Sequence, residues 1–242
     1  MPKLLIDSTP DRGKYWSEQG FSIVTIDVLR ATSTIVVALT RLAEEVIPCA
    51  EVEEAFAYKG NTDVVLAGER KGEIIPGFDF TNSPHDLSKI DLKGKKLVLT
   101  TSDGTRLITG ACQAEYVFIA STLNYQPVAQ AILGLGGDWA LIGAGSGGDF
   151  RPEDRVGCAL VGNELMQNEN FDISSDDLDF IHFYSLAWEQ HILNSLSSQK
   201  LRKIGRNVDI EFVIDEANKY SVTPSAKKSV GYTSIKTYEK ND

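Results

Sequence analysis

The sequence predicts an α/β fold, a mostly parallel β-sheet flanked by helices, and three observations carry that reading. Short apolar runs rich in Val, Ile and Leu recur from Leu4 to Ile142, as strands buried on both faces do. Polar, glycine-containing turns follow these runs, and most lead into stretches with a helical spacing of apolar residues. At 242 residues and 42% hydrophobic content, the chain can form one α/β domain over residues 1–242 or two intimately packed, similar lobes.

Taken in order, Leu4–Ile6 and Phe21–Val28 are the first strands, rich in β-branched residues. After Arg30, Thr32 or Ser33 can cap a helix running through Ile35, Leu39 and Leu42. A strand at Glu45–Ala50 and a charged helix from about Val52 to Lys59 come next, then a strand at Val64–Ala67. The stretch Ile74–Asp86 contains Pro76, Gly77, Asn82, Ser83 and Pro84, which predicts an ordered loop. Leu97–Thr100 resumes the strand pattern, Gly104–Cys112 reads as helix, and Tyr116–Ala120 as strand. Ser121 or Thr122 caps a helix through Ala129 to Leu135, Trp139–Ile142 is the next strand, and Glu153–Met166 is helical. The acidic stretch Asp172–Asp179 joins or opens a helix carrying Phe180, Phe183, Leu186 and Trp188. Val208–Ile214 reads as a strand, and residues from about 230 to 242, rich in Lys, Ser and Thr, as a loose tail. Ile23–Asp27 with Asp27-x-x-Arg30 is echoed by Leu97–Thr101 with Asp103-x-x-Arg106, as a duplicated unit would be.

Four turns share one composition: a carboxylate, an arginine, and glycine or hydroxyl residues. They are Asp27-Val-Leu-Arg30-Ala-Thr-Ser-Thr34, Gly68-Glu-Arg70, Thr100-Thr-Ser-Asp-Gly-Thr-Arg106, and the stretch from Gly143 to Arg155. A turn between strand and helix presents backbone N–H groups to an anion. Arg30, Arg70, Arg106, Arg151 and Arg155, five of nine arginines, fall in these turns, whereas the lysines mostly lie elsewhere. Arg30 and Arg106 are expected to clamp an anionic substrate through bidentate contacts. Ser33, Thr34, Thr101, Ser102 and Thr105, the backbone at Gly104 and Gly145, and Arg70 and Arg155 complete the expected oxygen cage. Asp27 ends an apolar strand, where a carboxylate needs a cation partner. With Glu69, Asp79, Glu153 and Asp154, which lie in similar turn positions, it suits Mg²⁺, which takes one or two carboxylates plus waters and phosphate. The alternative is that each carboxylate pairs with its local arginine, as in Glu69–Arg70 or Asp154–Arg155.

Composition and motifs exclude several other functions. A formal net charge of -10 argues against nucleic acid as a partner. Cys49, Cys112 and Cys158 have no C-x-x-C spacing and read as reduced core residues. No basic region precedes a long apolar core at the N-terminus, and no apolar run matches a bilayer, so a cytoplasmic protein without membrane contact is expected. Homo-oligomerisation is left open. Asp27 is followed by Val28 and Leu29 and so does not open a D-x-D phosphatase signature, neither a cysteine-phosphatase loop nor G-x-x-x-x-G-K-[ST] occurs, and His85, His182 and His191 lie outside the four turns. Gly143-Ala-Gly145-Ser-Gly-Gly148 matches the dinucleotide fingerprint, but Asp149, Glu153 and Asp154 follow it and would repel a pyrophosphate. A dinucleotide oxidoreductase and a non-enzymatic binding module for a sulfonate or phosphate metabolite are the rival classes.

D-V-L-R-A-T-S-T, G-E-R followed by G-F-D-F-T-N-S-P, T-T-S-D-G-T-R and a Gly-rich turn ending in E-D together resemble the 2-phosphosulfolactate phosphatase family, the ComB-like proteins. The likeness runs from Asp27 to about Val161 and continues weakly through Asp209-Ile-Glu-Phe212. It implies the family's own type of α/β fold. It also implies Mg²⁺-dependent hydrolysis of phosphosulfolactate to sulfolactate and phosphate, a step toward coenzyme M. On that reading Asp27, with Glu69, Asp79 or Asp154, holds Mg²⁺, and Arg30 and Arg106 clamp phosphate or sulfonate. Asn82 and Ser83 then join the oxygen cage. The chain departs from the family at Asp103, where T-T-N-G-T is common, and at Ser198–Arg202, where a His-Gly-Arg segment lacks its histidine. The same scaffold therefore also suits a different anionic phosphate ester.

Overall fold

A computed structural model describes residues 1–168 and 171–239. The first strands and helices are β1 (Leu4–Ser8), α1 (Pro10–Glu18), β2 (Ser22–Ile26), α2 (Ala31–Thr40), β3 (Glu45–Cys49) and α3 (Val52–Phe56). Then come β4 (Val64–Arg70), β5 (Glu73–Ile74), α4 (Pro84–Leu87), β6 (Lys96–Thr100), α5 (Gly104–Ala111) and β7 (Val117–Ala120). The chain continues through α6 (Tyr125–Leu135), β8 (Trp139–Gly143), α7 (Pro152–Asn168), α8 (Ser175–Ser185) and α9 (Trp188–Leu193). It closes with α10 (Leu196–Lys203), α11 (Asn207–Asp215), β9 (Pro224–Lys228) and β10 (Thr233–Thr237).

All ten strands join one sheet in the order β1-β8-β2-β7-β9-β10-β3-β6-β4-β5. β1, β8, β2 and β7 form one parallel block, and β3, β6 and β4 a second. The antiparallel hairpin β9–β10 joins them, pairing with β7 on one side and β3 on the other. Three antiparallel steps separate the blocks, so their strands run in opposite directions. The predicted α/β architecture with a mostly parallel sheet is therefore present, and its strands are buried on both faces, as their unbroken apolar runs implied.

One core brings Ile35–Leu39 of α2 and Leu107, Ile108 and Ala111 of α5 against residues from both blocks, among them Ile23, Val46, Leu97, Leu99 and Ile142. The sheet thus curls around α2 and α5, and the start of α5 abuts the start of α2. A Cβ on Gly104 would lie 2.3 Å from Asp27 Oδ2 and 2.5 Å from Ala31 Cβ. Only glycine permits that approach. The opposite face of the first block is covered by α6 and α7, whose core includes Phe118 stacked on Trp139. Among the described residues, no helix is long and apolar enough to cross a membrane.

Two sequence expectations fail here. Val208–Ile214 is part of α11, not a strand. Its buried residues, Asp209, Ile210 and Val213, follow helical spacing, and the β-branched composition had concealed it. The segment read as a loose tail contains β10, where Thr233 and Ile235 are buried inside the sheet; residues 240–242 of that tail lie outside the described ones. Two smaller differences concern the helices. The expected loop before Asp86 includes the first turn of α4. The helix opened by the acidic stretch stops at Ser185, because Ala187 takes a left-handed conformation with φ 47° and α9 starts anew.

Candidate active site

Residues at or just beyond the ends of β2, β4, β6 and β8 open on one cavity of about 560 Å³. Asp27 and Arg30 come from the first turn, Glu69 from the second, Thr101, Ser102 and Asp103 from the third. Gly145, Arg151, Glu153 and Asp154 come from the fourth. The four motifs, spread over 128 positions of sequence, thus meet at one place.

Carboxylates tie these turns together. Asp154 accepts Val28 N–H at 3.0 Å and Gly145 N–H at 3.0 Å, fastening the fourth turn to the first. Glu69 Oε1 accepts the N–H and the hydroxyl of Ser102, both at 2.9 Å, and its Oε2 accepts Gly72 N–H at 2.7 Å. Two of the expected metal ligands therefore already have both oxygens engaged by protein donors. Asp27 accepts Ala31 N–H through Oδ1 at 3.3 Å, across the start of α2. Asp79 is not brought to the cavity: it is exposed, and its Oδ2 accepts Leu66 N–H at 2.9 Å.

Three buried side-chain atoms lack a hydrogen-bond partner among the described residues: Asn82 Oδ1, Arg151 Nε and Glu153 Oε2. All three residues line this cavity. Buried polar atoms are rarely left unpaired, so such a group marks where something else binds. No three His, Cys, Asp or Glu side chains form a ready metal cluster among the described residues. Mg²⁺ does not need one. Asp27 and the free oxygen of Glu153 fit its preference for hard oxygen donors, and solvent or substrate would supply the rest.

Burial pushes the Asp27 carboxyl up to about 7; the Ala31 N–H opposes this, and the charges of Glu69, Asp103 and Glu153 add to it. Burial, then Asp27 and Glu153, likewise raise Asp154 well above the usual range. A carboxyl with a raised folded-state pKa stabilises fully below its unfolded value and loses that contribution as pH rises through the folded one. The metal-free protein is thus expected to be less stable at pH 8 than at pH 5, by on the order of 2 kcal/mol. Added Mg²⁺ should stabilise more at pH 8, because the ligands must be ionised to bind it. Thermal melts at both pH values, with and without the cation, check this; stability that rises from pH 5 to pH 8 without metal would contradict it.

The hydroxyls and arginines divide differently from expectation. Thr32, Ser33 and Thr34 donate to the carbonyls of Asp27, Val28 and Arg30, and Thr34 also reaches Asn82 O. Ser33 and Thr34 are fully buried and build the turn instead of facing the cavity. Thr105 is fully buried as well and exchanges hydrogen bonds with Thr101. Ser83 donates to Asp209. Arg30 does line the cavity, but it is buried and ion-paired to Asp209 at 2.8 Å. Arg106 stands outside, half-exposed and paired with Glu51. Arg70 binds the carbonyls of Glu69 and Ala50 and the Thr100 hydroxyl, lacing the strand ends together. Arg155 stacks on Phe150 and Tyr184. Arg151 keeps one nitrogen for a ligand: it is 11% exposed, held by Ser146 O at 3.0 Å and lies 3.9 Å from Asp149 Oδ2, but its Nε has no partner. In the sequence Arg151 reads only as one of the turn arginines, Glu153 as one of several turn carboxylates that suit Mg²⁺ and as a negative charge near the fingerprint, and Asp209 as part of a strand. In the Gly143–Gly148 loop the N–H groups of Ala144, Gly145 and Ser146 are taken by Ile26 O, Asp154 and Asp149 O, so these three are not open to a pyrophosphate.

A family model described as 2-phosphosulpholactate phosphatase matches residues 8–229. A probable 2-phosphosulfolactate phosphatase of Clostridium novyi is 39% identical over 187 residues, 72% of this chain and 80% of the relative. That of Caldanaerobacter subterraneus subsp. tengcongensis is 34% identical over 221 residues, covering 88% and 90%. One from Clostridium tetani is 32% identical over 212 residues, covering 86% and 91%.

Proposed function

The chain belongs to the 2-phosphosulpholactate phosphatase family, and from that premise we propose that its cavity hydrolyses 2-phosphosulfolactate, or a closely related anionic phosphate ester, with Mg²⁺. The observation that carries this is the set of unpartnered buried atoms, an amide oxygen, a guanidinium nitrogen and a carboxylate oxygen, all at one cavity. A carboxylate pair beside a cation-bearing wall is what a metal-assisted phosphoryl transfer requires.

On this reading Asp27 and Glu153 hold the cation, which when bound would neutralise charge on the phosphoryl oxygens. Arg151 contributes charge-assisted hydrogen bonds to the same oxygens through its free Nε. Arg30, fixed by Asp209, adds positive potential at the cavity wall with little freedom to move. Asp154 and Glu69 act as positioning residues, because they tie the backbone of all four turns. Net hydrolysis adds water across the ester: oxygen joins phosphorus, the P–O ester bond breaks, and the proton ends on the leaving hydroxyl of sulfolactate. That is a step of the kind that leads toward coenzyme M. The three unpaired thiols support a cytoplasmic setting.

Phosphate release from phosphosulfolactate should vanish in chelator and return with MgCl₂. Full turnover by protein verified as metal-free would overturn the cation's role. Tight sulfolactate binding with no phosphate released under any metal would make the protein a binding module instead.

A further inference from the structure

The lysines mostly lie outside the four turns in sequence, yet three of them line the mouth of the cavity. Lys200 and Lys203 lie in the last turns of α10, and Lys71 sits on the β4–β5 turn. The two elements are about 130 positions apart in sequence and meet directly. A Cβ on Gly72 would stand 3.3 Å from Ile204 Cδ1, just past the end of α10. The Lys71–Gly72 turn is also tied to the cavity interior, because Gly72 N–H donates to Glu69 Oε2. None of the three lysines takes part in an ion pair among the described residues. Asp27, Asp103, Glu153 and Asp154 lie in the cavity beyond them. In a chain of net charge -10, three unpaired cations gathered at one opening set the local field.

We propose that Lys71, Lys200 and Lys203 form a cationic rim that recognises a second anionic group on the substrate, a sulfonate or carboxylate remote from the phosphoryl group. This deepens the phosphatase reading above and rests on it for the position of the phosphoryl group. The carboxylates at the base favour a cation and its bound phosphoryl, and repel any further free anion. A substrate with two anionic ends therefore binds in one sense only, phosphoryl inward and the other anion at the rim. Ammonium groups on flexible stems suit this task, because they attract either a sulfonate or a carboxylate without the planar match that a guanidinium demands. The rim contributes to binding alike before and during the reaction, so it acts on KM and not on kcat.

The test is a Lys200→Gln/Lys203→Gln double variant and a Lys71→Gln variant, with Lys228→Gln as a control that removes one charge far from the cavity. All four side chains are exposed, so the fold should be retained, and circular dichroism verifies it. Steady-state kinetics on phosphosulfolactate should show KM raised about tenfold in the double variant with kcat within about twofold. On ethyl phosphate, which has no second anion, KM should be unchanged. Phospholactate distinguishes the two sources: an equal rise in KM assigns the rim to carboxylate, and a smaller one to sulfonate. The wild-type KM for phosphosulfolactate should climb with NaCl more steeply than that of the double variant. An unchanged KM, an equal rise on ethyl phosphate, or a fall in kcat alone would each overturn the rim. If the wild type hydrolyses no phosphate ester, the phosphatase reading fails by itself. Calorimetric binding of sulfolactate to wild type and double variant then decides the rim: weaker binding in the variant supports it, and equal binding removes it.

Discussion

Replacing Asp27 by Asn is expected to lower phosphate release by about a hundred- to a thousandfold while making the metal-free protein more stable at pH 8. The two effects share one cause. Asp27 is held in a cavity whose other carboxylates are Glu69, Asp103, Glu153 and Asp154, and burial, with the charges of Glu69, Asp103 and Glu153, pushes its carboxyl up to about 7. An ionised group there is unfavourable to the fold until a cation offsets it. The amide keeps the volume and can still accept Ala31 N–H, so the turn survives, but it is a much poorer ligand for Mg²⁺. Losing one charged element of a preorganised site costs about that factor in kcat. Turnover at saturating MgCl₂ and thermal melts at pH 8 without metal measure the two sides. Activity within threefold of wild type would return the ligand role to another carboxylate, and a lower melting temperature would show that the carboxylate is not a burden on the fold.

Asp209→Asn should produce the largest loss of stability. Asp209 is fully buried on α11, accepts from Arg30 at 2.8 Å and from the Ser83 hydroxyl, and has Arg206 Nε at 3.7 Å. Arg30 is itself only 4% exposed. Removing one partner of such a pair leaves a guanidinium buried without its counter-charge, a cost of roughly 3–5 kcal/mol. For a domain of this size that is roughly a 10 °C fall in melting temperature. Urea denaturation of wild type and variant gives the difference, and a change below about 0.5 kcal/mol would mean that Arg30 finds another anion. Replacing both partners, Arg30→Met with Asp209→Leu, should recover part of the loss, because the uncompensated charge is then gone.

What the sequence revealed and what it concealed divide along the range of the interactions. The turns after β2, β4, β6 and β8 were legible because strand, polar turn and helix start are local patterns. Their joint composition pointed to a shared site before any contact was known. The ligands within that site were not legible, since every turn carries spare carboxylates and arginines. Glu69 and Asp154 look like metal ligands in the sequence, yet their oxygens hold Ser102, Gly72, Val28 and Gly145 amides. Arg106 resembles Arg30 in its motif, but only Arg30 faces a buried acid from a helix 179 positions away. The helix α11 was hidden because Val208, Ile210, Phe212 and Ile214 alternate as a strand would. The lysines at the cavity mouth carried no motif at all, and only tertiary packing places α10 opposite the β4–β5 turn.

The hairpin β9–β10 has a consequence for how this molecule is born. Ribosomes deliver a chain from its first residue onward, and the two strands that join the parallel blocks are the last in sequence, at 224–237. Until they emerge, β7 and β3 are both open edges, each with a row of unpaired amides and carbonyls. Vectorial synthesis can therefore assemble each block but cannot link the two through the sheet. During that interval the nascent chain exposes two strands able to pair with a neighbouring polypeptide. The hairpin is both the keystone of the sheet and the step that ends its period of stickiness.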